Sequence, residues 1–284
     1  MAYVTRFAPS PTGPLHLGHA FSALTGFDRA QARGGQFLLR VEDTDSARVR
    51  AEHEAAIYDD LHWLGVRWQT PVRRQSEHLA DYAAALDRLI AMGLCYPCRC
   101  TRADIHAAVS APQEGVTHLP PDGMVYPGTC RHRPMSDRSP TDAIRLNIRA
   151  ALQTLDPTRL SFTETGPERA GHHRLSVPHL TDRVGDVVLA RRDIGAAAYH
   201  LCVVLDDALQ GVTEVTRGMD LFDATEIQVL LQHLLQLPNP LYHHHRLIRD
   251  DQGKRLAKRD NARALSRYRA EGATPQDIRR LLGL

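Results

Sequence analysis

The stretch Arg6-Phe7-Ala8-Pro9-Ser10-Pro11-Thr12-Gly13-Pro14-Leu15-His16-Leu17-Gly18-His19 leaves the chain few folds to choose from. Ahead of it and into it, Tyr3 to Ala8 alternates and is rich in β-formers. Pro9, Pro11, Gly13 and Pro14 then forbid regular structure, after which Leu17, Ala20, Phe21, Leu24 and Phe27 recur at helical spacing. The pattern predicts a strand, a tight turn and a helix, with His16 and His19 at the helix N-terminus. Such an end offers unbonded backbone N–H groups and the positive pole of the helix, and imidazoles add further donors, so the place suits a polyphosphate. Gly18, without a side chain, lets a flat base or ribose approach the backbone. Taken alone, His-x-Gly-His is weak evidence, because a histidine near a helix start is more often a solvated cap than a catalytic group.

The rest of the first third repeats the alternation of strand and helix. Gly34-Gly35 makes a turn, and Gln36 to Glu42 reads as a buried strand ending in Glu42, Asp43 and Asp45. Strand, helix, strand implies a right-handed parallel crossover, which brings Glu42 beside Arg6 and Ser10. Asp45 or Ser46 is the expected cap of a helix over the pattern from Ala47 to Leu64, and Leu79, Tyr82, Leu86, Leu89 and Ile90 mark another helix ending near Gly93. From about Ala107 to Pro140 periodicity is lost, Ala143 to Ile148 reads as a strand, and Asp156 to Pro178 is mixed and polar.

Regularity returns with a strand over Asp186 to Asp193, the stretch Ala198 to Asp207, a strand over Gly211 to Gly218 and a helix over Thr225 to Leu237. The expected fold is α/β, a doubly wound, mostly parallel Rossmann-like sheet in two halves, residues 1–94 and 181–240, with an inserted subdomain over 95–180. Residues 241–284 carry a basic loop and C-terminal helices, the last begun by Thr274-Pro275.

With 35 Lys and Arg against 33 Asp and Glu, the formal charge is +2, so any nucleic-acid contact must come from a local patch. Arg246, Arg249, Lys254, Arg255, Lys258, Arg259, Arg263, Arg267 and Arg269 supply one. No apolar run approaches membrane-spanning length and the N-terminus lacks a signal pattern, so a cytoplasmic enzyme with no membrane partner is expected. Five cysteines, an odd number, argue against a disulfide framework. Cys98, Cys100 and Cys130 could converge on one ion, but spacing alone reads them as buried free thiols.

The run RFAPSPTGPLHLGH resembles the first signature of class I aminoacyl-tRNA synthetases in its glutamyl form. Lys254-Arg255-Leu256-Ala257-Lys258-Arg259 resembles the second signature, Lys-Met-Ser-Lys-Ser, with Arg255 in place of the first lysine, Ala257 in place of the serine and Lys258 as the second lysine. The resemblance implies that His16, Gly18, His19 and Lys258 bind ATP, with His16, His19, Lys258 and Arg255 stabilising the charge that builds on the phosphates, and Mg²⁺ accompanying the nucleotide. It implies an amino-acid pocket from Arg6, Phe7, Ala8, Pro9, Ser10, Glu42, Tyr199 and Arg217. Read without it, Tyr199 is a strand residue of the core and Arg217 a surface residue at a strand end. It also implies a structural zinc ion on Cys98, Cys100, Tyr126 and Cys130, with Cys95 as rival to Tyr126.

A full glutamyl-tRNA synthetase continues into a helical anticodon-binding portion, and the expectation here is that this chain has none. The resemblance is therefore closest to the truncated branch of the family, which transfers activated L-glutamate to queuosine at the wobble position of tRNA(Asp). A monomer is expected. The alternatives are the catalytic part of a synthetase that charges a tRNA 3′ end, and a non-catalytic RNA-binding paralogue.

Overall fold

The computed structural model describes residues 2–110, 125–191, 197–249 and 263–284. The opening turn is as expected. Strand β1 (Val4–Phe7) leads into helix α1 (Leu17–Ala32) and returns as β2 (Gln36–Val41), parallel to β1 from Val4 opposite Gln36 to Phe7 opposite Leu39. Helix α2 (Ala51–Trp63) connects to β3 (Gln69–Arg74), which extends the parallel sheet. The helix starts later than its pattern suggested, and neither Asp45 nor Ser46 caps it. Arg50 is its N-cap without a side-chain bond, because the Asp45 carboxylate pairs with Arg191 at 3.2 Å and residues 46–48 form a turn.

After α3 (Leu79–Ala91) come β4 (Cys95–Cys98), α4 (Arg102–Ser110), β5 (Ala143–Leu146), α5 (Ile148–Gln153), the hairpin β6 (Ser161–Glu164) and β7 (Gly171–Arg174), and the short α6 (Val177–His179). Then follow β8 (Val188–Ala190), α7 (Tyr199–Leu209), β9 (Glu214–Gly218), α8 (Ala224–Leu235), β10 (Leu241–His245), α9 (Leu265–Ala270) and α10 (Pro275–Leu282). Strand β10 runs parallel to β9 and to β6 in a sheet ordered β7-β6-β10-β9, while β4, β5 and β8 form a small antiparallel sheet. Two of these pairings cross the expected boundary at residue 180. The polar 156–178 stretch supplies β6 and β7 to the sheet of the second half, and β8 pairs antiparallel with β5.

The two larger sheets meet where β1 lies beside β9. Thr213 N donates to Val4 O at 2.9 Å, and two residues further along Arg6 Nη1 donates to the Thr216 carbonyl at 3.2 Å. A side chain thus takes over from the backbone ladder, and the strands part at their carboxyl ends. Strand order reverses at this junction, the position at which open α/β sheets bind ligands.

The stretch from Ala198 to Asp207 is a helix, and Tyr199 is its first residue, 40% exposed, not a core residue of a strand. Leu201 through Asp207 are all buried, so the segment lacks the one-sided pattern that marks a surface helix. Among the described residues two large apolar cores form, beside a small cluster of Tyr96, Cys98, Tyr126 and Cys130. One fills the second half and the small sheet; the other fills the first half and is completed by Leu265, Ile278 and Leu282 of the C-terminal helices. Thr274 caps α10 in a reciprocal capping box with Asp277, as the Thr-Pro start suggested. Among the described residues no helix is long and apolar enough to cross a membrane.

Candidate active site and metal centre

His16 is the N-cap of α1, and its ring folds back over the first turn. Gly18 N donates to His16 Nδ1 at 3.1 Å, His16 N donates to His19 Nδ1 at 3.2 Å, and the two ring centroids lie 3.8 Å apart. Both Nδ1 atoms accept, so the proton of each neutral ring sits on Nε2, which makes Nε2 the donor edge. Gly18 leaves room for this arrangement, since a Cβ there would stand 3.0 Å from the His16 ring and push it aside. The turn ahead of the helix is pinned from three sides. Glu42 N donates to Pro9 O at 3.0 Å, Arg50 N to Pro11 O at 3.1 Å and Leu265 N to Leu15 O at 2.8 Å. Ala264 forms an antiparallel bridge with His16. Lys254, Arg255 and Lys258 lie outside the described residues; Ala264 is the second residue after that segment.

At the parting of β1 and β9 the structure gathers Arg6, Glu42, Tyr199 and Arg217. Arg6 is buried and partly engaged: Nε and Nη2 donate to the two carboxylate oxygens of Asp207 at 3.0 and 3.2 Å and Nη1 to the Thr216 carbonyl, which leaves N–H groups over. Arg217 is also buried, not the surface residue its strand-end position suggested. It donates to His244 Nε2 at 3.0 Å, Gln228 Oε1 at 2.7 Å and Thr225 Oγ1 at 2.8 Å. Every described hydrogen-bond partner of Arg217 is neutral, whereas the charge of Arg6 is met by a carboxylate.

Burial pushes the Tyr199 hydroxyl up; Arg217 and Arg6 pull against this, while Glu42 and Asp207 push with it, so the phenol stands among all four charges. Burial likewise raises Glu42, against the pull of Arg40 and Arg6. Phe7 points the other way from Arg6, as alternation on a strand requires, and packs in the core of the first half. Pro9 is buried, and Ala8 and Ser10 half-buried, in the turn that follows.

Arg40, Asp206 and Asp207 complete the site and were not singled out in the sequence. Arg40 is fully buried in β2 and donates to Asp207 at 2.7 Å and to Glu42 at 3.2 Å. Asp206 accepts from Arg73 at 2.7 Å, Gln75 at 2.8 Å and Tyr82 at 2.9 Å. A charged residue inside an apolar strand and adjacent acids inside an apolar run are the signals that could have found them.

Much of the C-terminal basic run is committed internally. Arg263 and Arg267 pair with Glu271, Arg246 donates to Leu282 O at 2.5 Å, and Arg269 lies over the Trp63 ring at 6.0 Å.

The sulfur atoms of Cys98, Cys100 and Cys130 all lie within 4.8 Å of one another. Tyr126 Oη stands 3.4 Å from Cys98 Sγ and 3.5 Å from Cys100 Sγ, and accepts from Cys130 N at 2.8 Å. Zinc–sulfur bonds of about 2.3 Å and zinc–oxygen bonds of about 2.0 Å are compatible with such separations, so the four atoms fit one tetrahedral ion. Burial pushes the Cys130 thiol up, but hydrogen bonds from Tyr126 and the Arg99 backbone bring it down to about 7. Arg145 places its guanidinium 3.9 Å from the Tyr126 ring centroid and donates to Cys98 Sγ at 3.3 Å, a cation suited to an anionic ligand set. Cys95 is no rival: three residues before Cys98 on one strand, it faces the opposite side and packs in the larger core.

Comparison with known proteins agrees with the fold. The family described as tRNA synthetases class I (E and Q), catalytic domain, matches residues 2–284. A glutamyl-Q tRNA(Asp) synthetase of Rhodobacter capsulatus is 60% identical over 99% of this chain and 100% of its own length. One from Geobacter sulfurreducens is 40% identical over 93% of this chain and 77% of its own. Among solved structures, a glutamate-tRNA synthetase from Elizabethkingia anophelis superposes with a TM-score of 0.72 at 26% identity. A glutamate tRNA ligase from Elizabethkingia meningosepticum, in complex with its amino acid, gives 0.69, also at 26%. Each covers 92% of this chain, which spans 53% of either enzyme. With the signature turn at the strand junction and the Rhodobacter relative matched over its whole length at 60% identity, the chain belongs to the glutamyl-Q tRNA(Asp) synthetase family of class I tRNA synthetases.

Proposed function

We propose that this chain activates L-glutamate with ATP and transfers the glutamyl group to queuosine at the wobble position of tRNA(Asp). The observation that carries the substrate assignment is the contrast between the two arginines. Arg6 is neutralised by Asp207, whereas Arg217 has only neutral described partners and stands with Tyr199 and Glu42 at the junction of the sheets. A buried cation without a counter-charge is costly, roughly 3–5 kcal/mol when a pair is broken, and a substrate carboxylate removes that cost. Glu42 supplies the complementary anion for an ammonium group.

Arg6, Ser10, Glu42, Tyr199 and Arg217 bind the amino acid with their side chains, and Phe7, Ala8 and Pro9 line it with their backbone. His16, Gly18, His19 and Lys258 hold ATP. A glutamate carboxylate oxygen attacks the α-phosphorus, the bond to the β-phosphate oxygen breaks and pyrophosphate leaves. His16, His19, Arg255 and Lys258 meet the growing negative charge. An acceptor hydroxyl then attacks the acyl carbon and displaces AMP. Mg²⁺ bound with ATP screens its phosphates. Cys98, Cys100, Tyr126 and Cys130 hold a structural zinc ion, which closes a region poor in core residues. The enzyme acts as a cytoplasmic monomer.

Acceptor mapping tests the reading. With radiolabelled glutamate, tRNA(Asp) containing queuosine should take up alkali-labile label in its anticodon loop, and the same tRNA lacking queuosine should take up none. Label confined to the 3′ adenosine of tRNA(Glu) would instead identify a tRNA-charging enzyme, and absence of any glutamate-dependent ATP–pyrophosphate exchange would identify a binding protein.

A further inference from the structure

Behind Arg217 runs a chain of buried groups that ends on a carboxylate. Arg217 Nε donates to His244 Nε2 at 3.0 Å, and His244 Nδ1 lies 2.5 Å from Glu164 Oε2. The arginine is a donor only, so His244 Nε2 must accept; the ring proton therefore sits on Nδ1 and is donated to Glu164. Glu164 Oε1 is occupied as well, accepting from Gly166 N at 2.5 Å and His244 N at 2.9 Å. Both the imidazole and the carboxylate are 0% exposed. The rings of Phe222 and Tyr242 flank His244 with centroids at 5.1 and 6.1 Å. Burial brings the imidazolium pKa down to about 4, so the ring is neutral near pH 7.

This geometry solves a problem that Arg6 shows in reverse. A carboxylate in direct contact orients an arginine but neutralises it, as Asp207 does to Arg6. An imidazole placed between carboxylate and arginine transmits the orientation and keeps the anion one ring away. We propose that Glu164 and His244 are positioning residues for Arg217, with Glu164 fixing the histidine tautomer that accepts from Arg217 and so aims its guanidinium at a substrate carboxylate. The inference rests on the reading that Arg217 binds glutamate. Glu164 comes from the β6–β7 hairpin and His244 from β10, so the pair also couples that hairpin to amino-acid binding.

The test is Glu164→Gln, which preserves shape. Its carboxamide oxygen must continue to accept the two backbone N–H groups, which turns the NH₂ toward His244 Nδ1. Nδ1 then accepts, the ring proton moves to Nε2 and confronts the Arg217 Nε–H. Nitrogen-15 spectra should show the proton on Nε2 and a shifted Arg217 Nε–H resonance. The KM for glutamate in ATP–pyrophosphate exchange should rise about tenfold or more, with the KM for ATP within about twofold of the parent. His244→Gln, which keeps an acceptor for Arg217, should retain more glutamate affinity than His244→Leu. A switched tautomer with unchanged KM for glutamate overturns the proposal, as does an equal rise of both KM values in step with lost thermal stability. If the parent protein shows no glutamate-dependent exchange, the functional reading fails. The Arg217 resonance then decides the positioning role alone, and no shift in Glu164→Gln overturns it.

Discussion

Asp207 grips Arg6 through two N–H···O bonds, Nε to Oδ1 at 3.0 Å and Nη2 to Oδ2 at 3.2 Å, while Arg40 reaches the same carboxylate at 2.7 Å from the neighbouring strand. One helix carboxylate thus joins β1, β2 and α7 at the site where the sheets part. Asp207→Asn leaves the buried Arg6 without its anion and Arg40 with only Glu42 and Asp206, and should cost about 3–5 kcal/mol in urea unfolding. A loss below 1 kcal/mol would show that the pair contributes little beyond a hydrophobic replacement.

His16 combines capping with the proposed contact to ATP, and the roles can be separated. His16→Asn preserves a capping side chain, so thermal stability should change by less than about 1 kcal/mol, while ATP–pyrophosphate exchange falls on the order of 10²-fold. Gly18→Ala should lower exchange by displacing the His16 ring, without disturbing zinc content. If His16→Asn exchanges at the parent rate, the ring takes no part in charge stabilisation.

Glu42 is held above its ordinary pKa chiefly by burial, so ionising it opposes folding at neutral pH. Glu42→Gln should therefore melt at the same or a higher temperature than the parent at pH 7, while its KM for glutamate rises at least about tenfold. A lower melting temperature with intact glutamate affinity would contradict both halves of the expectation.

Acid sensitivity should come in two stages. Burial lowers the imidazolium pKa of His243, His244 and His245 below the ordinary histidine value, so the unfolded chain takes up these protons first and stability declines as pH falls below about 6.5. Burial alone would raise Asp207 and Glu214, but Arg6 and Arg40 hold the former, and Arg29 and Tyr3 the latter, below the usual carboxylate range. Their contribution is complete above about pH 4 and disappears below it. Thermal melts between pH 3 and 8 should show a shallow decline followed by a steep one; a profile flat down to pH 4 would count against the buried neutral histidines.

For the cysteine cluster, metal analysis of the purified chain should find one zinc ion, and Cys98→Ser with Cys100→Ser should abolish it and lower the melting temperature. Tyr126→Phe should retain zinc less tightly under chelator competition. Stoichiometric zinc in the double variant would place the ion elsewhere.

The legible parts of this protein are those governed by local rules. Alternation, proline and a helical period locate β1, the turn and α1 without reference to anything distant, and Thr274-Pro275 starts α10 as capping chemistry dictates. Helix α7 was illegible for a physical reason. Leu201 to Asp207 is covered on all sides, so its apolar residues carry no helical period. Strand β10, written Leu241-Tyr-His-His-His, hides as a polar run because its histidines find partners such as Glu164 and Ser22 far away in sequence. The same distance explains the site. Arg40 meets Asp207 across 167 positions and Glu164 meets His244 across 80, and neither partner marks the other. The resemblance named Arg6, Glu42, Tyr199 and Arg217 as an expectation, and the charges that surround them emerged only from the fold.

Leu265, Ile278 and Leu282 fill the core beneath α1 and β2, and Arg279 binds Asp28 through bonds of 2.7 and 2.8 Å. During synthesis, the first half of the sheet leaves the ribosome with its apolar underside open and cannot close it until residues 265–282 have followed. The turn carrying His16 and His19 is made before residues 265–282 and secured only after them, so the proposed ATP site waits for that later segment.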